Sequence, residues 1–281
     1  MKAHEQQFEV QAMCNALNVS KSGYYAHKKR PPSQRTMRRR QLVEKIRTAH
    51  EHSRGTYGSP RLTVELKASG QSISENTVAR YMREEGIASR IKRRFRVRTT
   101  DARHDHPVAP NRLERAFTAE APDRKWCCDI TYVPTEEGWL YLAAVIDLCS
   151  RRIVGWAMAD HLRAELCLEA LSMAIQRRRP AAGLLHHSDR GVQYACDAYR
   201  LFLERQGMEA SMSRSGNCYD NAVMESFFGT LKTELVHHER YPTRQQARLS
   251  IFEYIEVFYN RQRRHSAIGY KSPEAFEADL N

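Results

Sequence analysis

Aspartate is missing from the first hundred residues of this sequence, which carry eight glutamates against 22 lysines and arginines, a balance of 22 − 8 = +14. The other 181 residues hold 23 basic and 25 acidic side chains, 23 − 25 = −2, so the net +12 of the chain is confined to its first third. A folded segment this basic calls for a polyanion, and nucleic acid is the default. No run of about 18 apolar residues occurs, which excludes a membrane-spanning helix. The start, MKAHEQQFEV, lacks the apolar core of a cleaved secretion signal. The seven cysteines are odd in number and form no CxxC pair, which argues against both a zinc ribbon and a disulfide framework. Most lie in apolar stretches and read as buried free thiols in a reducing, cytoplasmic compartment. Basic residues here alternate with helix punctuation instead of flanking one apolar face, so no membrane partner is expected. With 41% hydrophobic residues and 281 positions, the chain can bury a real core and divide into about two domains.

Residues 1–32 read as a small helical unit, in which Ser20 or Ser22 caps the second helix and Pro31-Pro32 ends it. Residues 33–98 read as a basic helix-turn-helix domain. A helix over 35–52 is followed by one from Pro60 to Ala68, and Ser74 then caps ENTVARYMREE up to Gly86. Residues 75–85 hold the recognition position, with Arg80 and Arg83 as the reaching side chains. The basic run at Arg90, Lys92, Arg93, Arg94, Arg96 and Arg98 follows at once. Residues 99–122, with weak periodicity and three prolines, read as a linker. An α/β domain follows over 123–240. Strands are expected at 125–133, 139–148 and 152–158, a helix at 163–178, a strand at 184–188, a helix at 196–206, a strand in MEASMS and a long helix over 221–237. Residues 241–281 form a helical tail.

Three carboxylates stand out in this domain. Asp129 interrupts an apolar strand, where a carboxylate is costly unless it is paired or bound to a metal. Asp189 follows the end of the fourth strand in HHSDRGVQY, a usual place for functional groups. Glu225 is early in the long helix, about 200° round from Val223 and so off the stripe of Val223, Phe227 and Leu231. Lys232 lies two turns on, on the side of Glu225. Taken singly, each acid also reads as a paired or surface residue. His186 and His187 read as strand packing, and Arg190, Arg261, Arg263, Arg264 and His265 as phosphate contacts.

Thirty-five residues separate Asp189 from Glu225, and Lys232 falls seven after Glu225. The strings DRKWCCDITYVP, LYLAAVIDLCSRRIVGWAM, HHSDRGVQY, SGNCYDNAVMESFFGTLKTEL and YNRQRRHSAIGYKSPEAFE closely resemble DDE transposases and retroviral integrases. Among these the chain looks like the second-frame (OrfB) product of two-frame bacterial insertion sequences. The helix-turn-helix region, with GTYGSPRLTVEL, resembles the N-terminal part of the same proteins.

The resemblance implies an RNase H-like mixed α/β sheet as catalytic core, preceded by the all-α helix-turn-helix region. It assigns Asp129, Asp189 and Glu225 as catalytic acids and metal ligands, Lys232 as a contact to terminal DNA, and Asp147 as a structural acid. The implied cofactor is Mg2+, two per active site about 4 Å apart with Mn2+ able to substitute, which suits hard carboxylate ligands. The implied activity is cleavage and strand transfer on double-stranded DNA at element ends and target, by a homo-oligomer on DNA, with the first-frame product as partner or fusion. A bacterial protein associated with the nucleoid when bound to DNA is expected. Alternatives are a DNA-binding regulator with an inert core, or another RNase H-like nuclease.

Overall fold

The computed structural model describes residues 1–90, 106–214 and 218–280. The basic third is helical: α1 (Val10–Ala16), α2 (Lys21–Lys29), α3 (Gln34–His52), α4 (Ser59–Ala68) and α5 (Glu75–Glu84). Serines cap three of these starts. The hydroxyls of Ser20, Ser33 and Ser74 accept from the amides of Gly23, Thr36 and Thr77 at 3.0, 3.2 and 3.3 Å. Each bond satisfies a donor that the first helical turn leaves unpaired. Ile46, Leu62, Leu66, Val78 and Met82 form the shared core of α3, α4 and α5. On α5, Arg80 and Arg83 are exposed, and the Arg80 guanidinium lies 5.1 Å from the Tyr81 ring centre and 4.0 Å from Glu84. Lys92, Arg93, Arg94, Arg96 and Arg98 lie outside the described residues.

The second half of the segment read as a linker packs onto the α/β domain. Leu113 is fully buried, and Asn111 and Arg115 donate to Asp220 at 2.9 and 3.1 Å. Beyond it come β1 (Lys125–Thr135), β2 (Gly138–Asp147) and β3 (Ile153–Ala159), then α6 (Ala164–Arg178), β4 (Leu185–Ser188), α7 (Val192–Ala195), α8 (Asp197–Arg205), β5 (Glu209–Met212) and α9 (Ala222–Glu234). The sheet order is β3-β2-β1-β4-β5. The first three strands pair antiparallel, whereas β4 runs parallel to β1 and β5 parallel to β4. This is the mixed α/β sheet expected from the strand and helix sequence, and the RNase H-like arrangement that the resemblance implies.

Alternation along the strands divides two cores. Cys127 and Val133 of β1, with Leu140, Leu142, Ala144 and Ile146 of β2, face Met224, Phe227, Phe228 and Leu231 of α9. Cys128, Ala143 and Val145 face the other way, onto Leu166, Ala170 and Ala174 of α6 and Tyr199 of α8. Helix α6 approaches β3 closely because Gly155 has no side chain: a Cβ there would collide with Ala170 and Ala174.

The tail, with α10 (Arg244–Glu253), a π-helical turn (Tyr254–Tyr259) and α11 (Pro273–Ala278), binds the two halves together. Asn260 exchanges both hydrogen bonds with the backbone of Ile153, at 2.9 and 3.0 Å, closing the β3 edge. Arg54 of the helical region meets Glu253 at 2.7 Å. Three tail residues read from the sequence as phosphate contacts have internal partners in the fold. Arg263, 4% exposed, makes a two-pronged pair with Glu234 at 2.8 and 2.6 Å. Arg264 pairs with Glu65 and the Tyr270 carbonyl, and His265 is buried against Tyr259. The tail crosses the chain's own α4 and α9, whose Glu65 and Glu234 carboxylates pair with the two arginines. No described helix is long and apolar enough to cross a membrane.

Arg263→Ala takes the cationic partner from the buried Glu234 carboxyl group, to which Tyr254 also donates at 2.7 Å. We expect a loss of about 3–5 kcal/mol in urea unfolding; a loss below about 1 kcal/mol would show that the pair is not a structural strut.

Candidate active site

The site forms where β4 ends. The parallel ladder pairs Lys125 with Leu185, Trp126 with His186 and Cys127 with His187. Carried two residues further, that register sets Asp129 alongside Asp189, just beyond Ser188, where β1 has no paired neighbour on that side. Asp129 accepts from the Ile130 amide at 2.8 Å. The Asp189 carboxylate accepts from the Gly191 amide at 2.9 Å, which shapes the turn into α7. A side chain at Gly191 would place its Cβ 3.0 Å from both Asp189 Oδ1 and Gln193 Oε1, so glycine keeps that turn close.

Glu225 enters from the first turn of α9 and is exposed. The start of that helix is tied to β1: Asn221, 5% exposed, donates from Nδ2 to the Cys128 carbonyl at 3.1 Å, one residue before Asp129. Just before it, Asp220 is fully buried and bonds Asn111, Arg115 and Arg214. The Arg214 guanidinium holds its carboxyl well below the usual range. Lys232, two turns along α9, sets its ammonium 4.8 Å from the Tyr132 ring centre. Burial pushes the Lys232 pKa down, opposed by the charge of Asp129.

Electrostatics tie the acids together. Burial pushes the Asp129 carboxyl well above the ordinary range, and the charges of Asp189 and then Glu225 raise it further, while the Ile130 amide and Lys232 oppose. Carboxylates from a strand end and a helix thus both act on the strand carboxylate of Asp129. A hard divalent cation is the partner that such an all-oxygen donor set fits. Among the described residues, no three such side chains stand close enough to form a ready-made metal cluster. Mutual repulsion and the exposed position of Glu225 are consistent with that spacing. A cavity of about 310 Å3 adjoins the acids, lined by Asp129, Tyr132, Trp139, Tyr141, Asp189 and Gln193 among others.

Several other residues have clear places. Asp147 is buried and its carboxylate accepts from the amides of Asp123, Cys149 and Ser150, at 2.8–2.9 Å, so it ties the β2–β3 turn. His186 contacts Cys128 Sγ and the Tyr199 hydroxyl, both at 2.9 Å. His187 contacts the Ser211 and Ser213 hydroxyls, at 2.8 and 3.2 Å. Both imidazoles are buried beneath the site and serve as strand packing. Arg190 donates to the Ser213 carbonyl at 2.6 Å, on the same turn as Asp189. Tyr132 and Tyr194 read from the sequence as packing or stacking on DNA, and both fall in the cavity lining, whereas no sequence reading singles out Asp220, Asn221, Trp139 or Tyr141. The polar pair directly before an apolar helical stripe was the available signal for Asp220 and Asn221.

Comparison with known proteins fits this layout. Models described as "Integrase core domain" match residues 119–218 and 206–273, and an "HTH-like domain" model matches 37–95. The chain is 48% identical over 264 residues to the "Insertion element IS600 uncharacterized 31 kDa protein" of Shigella sonnei, covering 94% of this chain and 97% of the relative. It is 43% identical over 279 residues to "Transposase InsF for insertion sequence IS3A" of Escherichia coli (strain K12), covering 99% and 96%. A chain of the simian T-cell lymphotropic virus intasome, solved with PP2A regulatory subunit B56 gamma, matches at 14% identity and a TM-score of 0.48 over 83% of this chain and 74% of that one. An integrase-type core preceded by a helix-turn-helix region is the class these features define. The chain belongs to the insertion-sequence transposases.

Burial lowers the His186 pKa from 6.5 to about 3. Between those values the unfolded chain takes up a proton that the folded chain refuses, so stability falls as pH drops, by up to about 1.4 kcal/mol per pH unit. We expect His186→Gln to flatten the acid limb of stability, measured by urea midpoints from about pH 7 to 4, by about one proton. An unchanged slope would contradict the buried neutral imidazole.

Proposed function

We propose that Asp129, Asp189 and Glu225 are the catalytic acids of a DNA-cutting and DNA-joining centre that works at the ends of an insertion sequence. The observation that carries this reading is the placement of acids 60 and 96 residues apart along the chain (189 − 129 and 225 − 129): the parallel register sets Asp189 alongside Asp129, and the Asn221 bond to the Cys128 carbonyl ties the start of the Glu225 helix to the residue before Asp129. The three carboxylates would hold two Mg2+, with Mn2+ as substitute. Bound there, the metal supplies Lewis-acid activation of the attacking oxygen and stabilisation of the leaving one.

The chain's own residues position the DNA. Asp129 stands on the rigid sheet and Asp189 in the tight turn directly after β4, so their oxygens keep one geometry while strands exchange. Glu225 is brought in by α9, which Asn221 clips to the Cys128 carbonyl. Lys232 offers its ammonium to a phosphate oxygen beside Asp129. Arg80 and Arg83 on α5, with Lys92, Arg93 and Arg94 after it, grip duplex DNA. Arg190 approaches the backbone near Asp189, and Arg264 reaches it only by leaving Glu65. No serine or tyrosine is needed as a covalent nucleophile, since the freed 3′-hydroxyl attacks the next phosphodiester directly. The working parts divide as 1–32, 33–98, 99–122, 123–240 and 241–281. The active form is a homo-oligomer on DNA, joined by the first-frame product of the element or fused to it.

Incubating the purified chain, with and without the first-frame product, with end-labelled element DNA, a plasmid and Mg2+ tests this. Asp129→Asn, Asp189→Asn and Glu225→Gln should each reduce joined products by about a hundred-fold or more, on the order of losing one transition-state charge contact. Lys232→Ala should weaken DNA binding about ten-fold and make it less sensitive to salt. Wild-type joining by all three acid variants would place the chemistry elsewhere.

A further inference from the structure

The cavity beside Asp129 has a wall that the chemistry of metal and phosphate leaves unused. Tyr132 and Trp139 meet edge to face with ring centres 4.6 Å apart. Tyr141 is paired directly across the ladder from Tyr132, and Tyr194, 3% exposed, lies deeper in the lining. Trp139 is 48% exposed. One exposed apolar side chain is ordinary on any protein. This one belongs to the lining that also contains Asp129 and Asp189, and its neighbour Tyr132 carries the Lys232 ammonium over its ring. The Lys232 ammonium thus touches the aromatic wall, and its charge also acts on Asp129.

We propose that this wall is a nucleobase subsite, which takes one unpaired base of the strand whose phosphodiester lies at Asp129 and Asp189. The inference rests on the reading of those acids as the strand-cutting centre. Aromatic faces hold bases by stacking, whatever the base, and a base still inside a duplex cannot offer its face. The occupant is thus a base at a frayed or opened end, with its phosphate on Lys232. Gln193 adds a preference. Its Nε2 donates to the Leu162 carbonyl at 3.1 Å, which leaves the amide oxygen as an acceptor in the cavity lining. An exocyclic amine, as on adenine, cytosine or guanine, fits that acceptor; thymine has none and offers only its ring N3–H.

The test uses the full chain and a duplex of its own element end bearing a short single-stranded extension with the fluorescent base aminopurine, in Ca2+ so that no strand is cut. Binding of the wild type should quench the aminopurine, and thymine in the extension should compete less well than adenine. Trp139→Ala should lose the quench and weaken binding to the extended duplex about ten-fold, while binding to the blunt duplex stays unchanged. Trp139→Phe keeps a ring and should restore most of both. Unfolding midpoints check that the variants are folded. Asp189→Asn should keep the quench while losing strand cutting in Mg2+, so the two readings fail separately. Full quenching and unchanged affinity in Trp139→Ala would overturn the subsite, whatever the acids do.

Discussion

The shortness of the parallel ladder between β1 and β4 governs the whole site. Three paired positions, Lys125 to Cys127 against Leu185 to His187, hold the two strands side by side. The partner strand then stops, while β1 continues to Thr135. An aspartate on the continuing strand gains an open flank, and an aspartate just past the stopping strand comes to stand in it. A longer β4 would cover Asp129 with a neighbour. A shorter one would leave Asp189 without a rigid base. Beneath the ladder, His186 and His187 are buried and neutral, so strand packing adds no positive charge that would satisfy the acids from below.

The unresolved repulsion among the acids is thereby directed outward, toward solvent and a cation. The rest of the domain is arranged to keep it so. Asp147 and Asp220, the two fully buried aspartates among the described residues, are saturated by backbone amides or by arginines. Glu234 is spent on Arg263 and Tyr254. Asp129, by contrast, accepts only the Ile130 amide among these contacts and is raised by burial and by the charges of Asp189 and Glu225. The positive charge needed to approach DNA lies in the N-terminal helices, and the tail couples those helices to the core through Arg54–Glu253 and Arg264–Glu65.

Much of this was legible in the sequence, because local signals and global packing agree. Ser20 and Ser74 cap the helices their positions announce, and the β-branched runs are strands of the expected order. Asp129 drew attention by interrupting an apolar strand, and Glu225 by lying off the buried stripe of α9. What was not legible depends on contacts between distant segments. Nothing local distinguishes Arg263 and Arg264, bound to Glu234 and Glu65, from cations free to meet phosphate. Likewise Asn221 reads as a helix start, and only the fold reveals that it ties α9 to the residue before Asp129. Trp139 looks like an ordinary strand aromatic until the β1–β2 pairing sets it beside Tyr132.

The central claim is that divalent metal binds where Asp129, Asp189 and Glu225 meet. Iron-directed backbone cleavage tests it without relying on turnover. Ferrous ion replaces Mg2+ in the full chain bound to DNA, and ascorbate with peroxide generates radicals that cut the polypeptide near the metal. The account predicts cuts clustered around positions 129, 189 and 225, suppressed by excess Mg2+ and lost in Asp129→Asn. Cuts clustered at the histidines of the helical region or tail, unaffected by Mg2+, would contradict it.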